Sequence, residues 1–209
     1  MAKSSVRSHF SKKEAISNGF ELAKKNLFFY VVLFFIIILV TAVMTSLRVV
    51  TAHVLFSALL VSIIQVAVNL VVGMGLIHIA LKFIDNKKPK YKDLFYYQPI
   101  VSYFLTALLT GLIVLGGLLL LIIPGIFFGI RLKYATYLVI DKNLGPLEAI
   151  KGSWKITRGN VWNLFFLSIL LGLINLLGLL CLVIGLFITV PLSMLATAFV
   201  YRKLLSTSK

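Results

Sequence analysis

Five stretches of this chain stay apolar long enough to cross a lipid bilayer as helices: 27–47, 54–79, 100–123, 161–183 and 184–201. About 20 helical residues span the hydrocarbon core, and each run approaches or exceeds that length. A membrane-spanning barrel would instead need alternating strands of about ten residues, and none is visible. The rest of the composition agrees. Only 13% of residues are charged, where a soluble domain carries about a quarter. The chain reads as a polytopic, all-α membrane protein.

The charges that remain are strongly one-sided, with a net charge of +15. Cations cluster at 3–25, 82–92, 142–158 and 202–209, and between these clusters only Arg48, Arg131 and Lys133 interrupt the apolar runs. Hairpins that return to the same side after each pair of spans would bring all four clusters to one face, which the positive-inside rule makes cytoplasmic. All the acids (Glu14, Glu21, Asp85, Asp93, Asp141 and Glu148) fall on that face too. The basic excess is thus a topology signal and an attraction to anionic lipid headgroups. Nucleic acid is not expected as a partner, because no aromatic platforms alternate with the cations. No cleavable signal peptide is expected either: the first 26 residues are polar, and 27–47 reads as a retained first span. The single Cys181 allows no internal disulfide and reads as a packing residue.

The expected plan is a single membrane domain of six spans, at 27–47, 54–83, 100–123, 124–140, 161–183 and 184–204, with both termini cytoplasmic. Pro124 suits the first turn of the fourth span, where its missing N–H costs nothing. Two polar segments precede hairpins. Residues 14–26 read EAISNGFELAKKN and residues 148–160 read EAIKGSWKITRGN. At one ungapped offset Glu14, Ala15, Ile16 and Asn26 meet Glu148, Ala149, Ile150 and Asn160, and Phe20 meets Trp154. This reads as an internal repeat. Each copy has the pattern of an amphipathic interfacial helix, expected at 10–26 and 145–159. The apolar stripe is Ile16, Phe20, Ala23 and Leu27 in the first, and Leu147, Ile150, Trp154 and Val161 in the second. Ser11 and Glu14 have capping-box spacing. Residues 89–98 read as a weaker third instance, which would give three units of interfacial helix plus hairpin.

The phrases GLIHIALKFIDNKKPKYKDLF, IPGIFFGIRLKYATYLVID, GPLEAIKGSWKITRGN and PLSMLATAFVYRKL resemble the bacterial YciC-like integral membrane proteins. They also resemble the membrane domain that precedes some glycerophosphodiester phosphodiesterases. The resemblance implies a six-span domain of the bacterial cytoplasmic (inner) membrane. It does not carry the phosphodiesterase activity, whose catalytic domain has no counterpart in this sequence.

Residues that could do chemistry are sparse. His9, His53 and His78 do not approach metal-ligand spacing with an acid or with Cys181. No metalloprotease, nucleophile-elbow or phosphate-loop motif is present. No catalytic centre, metal or cofactor is expected. Arg131 and Lys133 stand out because a cation within a span is costly unless it faces a partner or a cavity. Counted from Pro124, Arg131 lies roughly 10 Å below the outer end. Two readings stay open: a pocket for an anionic group, or a cation that snorkels or binds helix-end carbonyls. Lys151, Lys155, Arg158 and Trp154 are candidates for contact with anionic headgroups, with Trp154 expected inward. Gln65, Asn69 and Asn175 are intramembrane amides, suited to interhelical hydrogen bonds or to a polar path. The functional expectation is a non-enzymatic membrane module that engages lipids or partner membrane proteins through its cytoplasmic face. The alternative is a small transporter for an anionic or lipid-like substrate.

Overall fold

Long apolar runs, with few polar residues to break them and no water to compete for the backbone, leave the chain one way to satisfy its N–H and C=O groups locally: helix. The computed structural model describes residues 10–51, 53–181 and 185–208. His9 lies outside the described residues, as do the ends of two expected spans at 183 and 184. The helices are α1 (Lys12–Lys25), α2 (Leu27–Thr51), α3 (Leu55–Ile84), α4 (Ile100–Leu120), α5 (Ile122–Leu132), α6 (Ala135–Lys142), α7 (Pro146–Ile156), α8 (Val161–Leu180) and α9 (Leu186–Thr207), with a 3-10 turn at Tyr91–Phe95 between α3 and α4. No strand occurs among the described residues. With α5 and α6 counted together, six helices are long and apolar enough to cross a membrane. This is the architecture of a multi-pass membrane protein.

The fourth span departs from expectation. It begins at Ile122, so Pro124 is its third residue, and the helix breaks at Lys133–Tyr134 before resuming as α6. The break has a partner. Leu132 is the last residue of α5, and the carbonyl of Arg131 accepts hydrogen bonds from Ser153 Oγ at 2.7 Å and Thr157 Oγ1 at 3.4 Å. Terminal carbonyls of a helix need such outside donors.

Burial is uneven along the bundle. At one end, Arg202 of α9 holds Asp85 at the end of α3 through two bonds of 2.6 and 2.8 Å, and Asp141 of α6 at 2.8 Å. Tyr201 donates to the same Asp141 at 2.9 Å. Lys82 pairs with Asp93 at 2.9 Å and Lys203 with Glu14 at 3.1 Å. Burial alone would push the Asp93 carboxyl up. The Lys90 backbone N–H, which donates to it at 2.7 Å, and the Lys82 ammonium outweigh that and hold it below the ordinary carboxylate range. At the other end apolar side chains face outward: Leu55 is 78% exposed and Ile123 81%. In water that surface would be untenable, but lipid tails are as apolar as leucine.

The short helices meet the bundle through their smallest residues. In α1 the buried face is Ala15, Gly19 and Ala23, while Phe20 of the expected stripe is exposed. The face lies along α9, where a Cβ on Gly19 would come within 2.7 Å of the Leu192 carbonyl oxygen. In α7 the buried residues are Ala149, Ser153 and Ile156, while Leu147 is exposed. The 3-10 turn sits so close to α3 that a side chain at Gly75 would collide with the backbone of Leu94. Small residues let backbones approach, so they form the contact and the bulky residues turn to the surroundings.

Candidate anion site at the break between α5 and α6

Arg131 is 9% exposed and sits at the foot of α5. Its Nη1 donates to the Trp154 carbonyl at 3.0 Å, near the C-terminal end of α7. That end carries the negative pole of the helix dipole, which suits a cation. The guanidinium lies over the Trp154 ring at 4.1 Å and the Phe127 ring at 5.5 Å. The two rings meet edge-to-face at 5.9 Å. Both attractions stabilise a charge taken from water, but neither neutralises it. Among the described residues no carboxylate is within ion-pairing distance of Arg131. Arg158, next to Thr157 at the end of α7, is a further cation and is exposed. The Nε of Arg131 is buried and has no hydrogen-bond partner among the described residues. The helix-end carbonyl is therefore part of how the chain holds Arg131, and one edge of the fork is left unused.

Beside this arginine lies an apolar groove of about 340 Å³ between α5 and α8, lined by Ile123, Ile126, Phe127 and Ile130 on one side and Val161, Trp162 and Phe165 on the other. Trp162 is 73% exposed, so the groove opens on the flank of the molecule. Phe127 belongs to both features: it lines the groove and touches the guanidinium.

The remaining candidates scatter. Lys133 reaches across to Ser168 of α8, with Nζ 3.4 Å from Oγ. Lys151, Lys155 and Arg158 are exposed. Trp154, expected inward, is 37% exposed, because its ring covers Arg131 instead of entering the core. Asn69 is exposed, while Gln65 and Asn175 are half-buried. No described contact joins these amides to Arg131. His78 stacks on Tyr96 at 4.2 Å, beside the 3-10 turn. Cys181 is exposed rather than packed. No group of three His, Cys, Asp or Glu residues able to hold a metal occurs among the described residues. Ser153, Thr157, Phe127 and Trp162 were not singled out from the sequence. A hydroxyl pair four residues apart on a helix beside a span was the available signal for the first two.

Residues 95–207 match the family described as Domain of unknown function (DUF7847). That is more than half of the chain. The chain belongs to this family. The DUF7847 region runs from the last residue of the 3-10 turn through α9, so it contains Arg131, the groove and every residue that contacts either. Uncharacterized proteins of Mycobacterium bovis and Mycobacterium tuberculosis are 31% identical to the chain over 107 residues. The match covers 46% of this chain and 31% of each relative, so the chain spans under a third of the length of the curated relatives it matches. No solved structure matches.

Proposed function

We propose that the chain is a non-enzymatic module of the bacterial cytoplasmic membrane that engages anionic lipids through its cationic, cytoplasmic end. The observation that carries this reading is an imbalance. Glu14, Asp85, Asp93 and Asp141 are occupied by ion pairs inside the molecule, while Lys151, Lys155 and Arg158 are exposed and carry no such pair. An end whose acids are used internally presents its surplus cations to whatever surrounds it, and at a membrane surface that is lipid phosphate.

The proposal includes an architecture of three units, each a short polar-end element followed by a hairpin of two spans. Three regularities support it. Each element has an acid near its start with a hydrogen bond to the residue three before: the Asp93 and Glu148 carboxylates accept from the Lys90 and Gly145 N–H groups, and in α1 the Glu14 N–H donates to Ser11 Oγ. The residue after each acid (Ala15, Leu94 and Ala149) is fully buried. At the offset that relates Glu14 to Glu148, the buried Ala15, Gly19, Ala23, Tyr30 and Leu33 meet the buried Ala149, Ser153, Thr157, Leu164 and Leu167. Each element also packs on helices of the bundle: α1 on α9, the 3-10 turn on α3, and α7 on α5 and α6. Each contact carries a cation, Lys203 in the first, Lys82 in the second and Arg131 in the third, and of these three Arg131 alone has no carboxylate partner among the described residues.

The test is the lipid that accompanies the protein. Extracted with its surrounding membrane in a polymer disc, the chain should carry a higher anionic fraction than the bulk membrane, and the excess should shrink as salt rises. The Lys151→Gln, Lys155→Gln, Arg158→Gln triple variant should lose most of it. An unchanged lipid composition in the wild-type disc overturns the proposal.

A further inference from the structure

The α5–α8 groove and Arg131 meet at one residue, Phe127, which lines the groove and packs against the guanidinium. The groove wall is apolar, its volume of about 340 Å³ lies at the lower edge of the roughly 300–1,000 Å³ usual for ligand sites, and it opens sideways at Trp162 and Ile123. At Phe127 it gives way to a guanidinium that spends Nη1 on the Trp154 carbonyl and leaves Nε without a partner. Arg158, the exposed residue next to Thr157 whose hydroxyl faces the Arg131 carbonyl, adds a second positive charge, and no described carboxylate lies within ion-pairing distance of either arginine. The proposed repeat sharpens the point. In the corresponding contact α1 meets Leu192, and the 3-10 turn meets Gly75. The cations at those two contacts, Lys203 and Lys82, are each paired with a carboxylate, Glu14 and Asp93, whereas Arg131 has no such partner among the described residues.

We propose that this is a binding site for one anionic phospholipid. An acyl chain lies in the groove between α5 and α8, and the phosphate takes the Nε–Nη2 edge of Arg131, with Arg158 close by. Guanidinium edges match phosphate oxygens in pairs, which a point charge such as lysine does not. The groove selects for a lipid over a free anion, because only a lipid brings the apolar segment that fills it. The inference rests on the lipid-engaging reading above and assigns that reading a single address.

The chain's two tryptophans, Trp154 and Trp162, both sit at this site, which makes it readable by fluorescence. The full chain carrying Trp154→Phe is reconstituted in zwitterionic bilayers, leaving Trp162 as the emitter. Phospholipid with brominated acyl chains, which quench on contact, is then added as either the anionic or the zwitterionic species. Half-maximal quenching is expected at a several-fold lower mole fraction of the anionic lipid. Arg131→Gln should bring the two curves together. Arg158→Gln, at an exposed position with no ion pair among the described residues, should narrow the gap without disturbing the fold. Coincident curves in the Trp154→Phe chain overturn the site, as does a gap that survives Arg131→Gln. Inorganic phosphate that shifts Trp154 emission in the wild-type chain while the two quenching curves coincide identifies a free-anion site and overturns the lipid assignment. If discs still carry excess anionic lipid while the curves coincide, only this site fails. If the excess is absent too, the broader reading fails with it.

Discussion

Two short helices, α1 and α7, pack against the bundle in this molecule, and they are joined to it by different chemistry. Helix α1 meets α9 through Ala15, Gly19 and Ala23, with the Gly19 backbone nearly touching the Leu192 carbonyl. Helix α7 meets α5 and α6 through Ala149, Ser153 and Thr157, with the hydroxyls donating to the Arg131 carbonyl and the guanidinium returning a bond to Trp154. The first contact is one of shape and holds because nothing protrudes. The second is one of polar exchange. It holds a charged group at a helix end at a desolvation cost that shape alone would not incur. The same geometry of approach can therefore serve as plain packing in one place and as the frame of a site in another.

The comparison can be broken at the α1–α9 contact first. Gly19→Leu should have the largest effect, because its Cβ would stand 2.7 Å from the Leu192 oxygen and 3.1 Å from the Ala196 nitrogen, both backbone atoms that cannot swing away. A loss of about 3 kcal/mol is expected in detergent unfolding, together with faster proteolysis within α1. Unaltered stability would show that the two helices do not press together as described. Arg131→Met comes next. It keeps length and apolar contact but removes a charge-assisted hydrogen bond of about 2 kcal/mol. Emission from Trp154 should move to longer wavelength as its ring loses its cover, and an unchanged spectrum would separate Arg131 from α7. Ser153→Ala should cost about 1 kcal/mol, since the Thr157 hydroxyl still faces the Arg131 carbonyl at 3.4 Å. A cost as large as that of Gly19→Leu would mean that the two contacts are not of different kinds.

Acid gives a smaller and signed effect at the third contact, where Asp93 meets Lys82. The Asp93 carboxyl titrates below its ordinary value in the folded chain. Its contribution to stability is therefore fully present above the ordinary carboxylate range and is lost as pH falls through the folded value. Thermal unfolding between neutral and acid pH should show this loss in the wild type and a shallower profile in Asp93→Asn. Parallel profiles would remove the ion pair from the account. Smallest of all is Glu14→Gln. Its pair with Lys203 is about half exposed on both sides, and such pairs contribute about 0.2–1 kcal/mol. A larger loss would make the α1–α9 contact electrostatic as well.

The positions of the spans were legible in the sequence because apolar length is a local property. Runs expected at 54–83 and 100–123 form Leu55–Ile84 and Ile100–Leu120. The break in the fourth span was not legible. Nothing in IRLKYAT disfavours helix strongly, and the outside partners of the Arg131 carbonyl come from residues more than 20 positions away. Which faces of α1 and α7 meet the bundle was also not legible, for a related reason. A hydrophobic stripe marks the buried face when the alternative is water, but beside a lipid-facing helix the bulky residues gain nothing by turning inward. Phe20 and Leu147 stay outside, and Gly19 and Ser153 go in.

The amino-acid sequence by itself determined that this chain is helical, where its candidate spans lie, where its charges gather, and that Arg131 is an unusual residue to find among apolar neighbours. Each of these follows from composition counted over a window, and no distant contact is needed to establish it. Only the tertiary structure decided what Arg131 holds, which edge of it is left over, and that an apolar groove begins where its charge ends. Those depend on a backbone carbonyl, a phenylalanine ring and a second helix arriving at one point, and a linear sequence does not record such meetings.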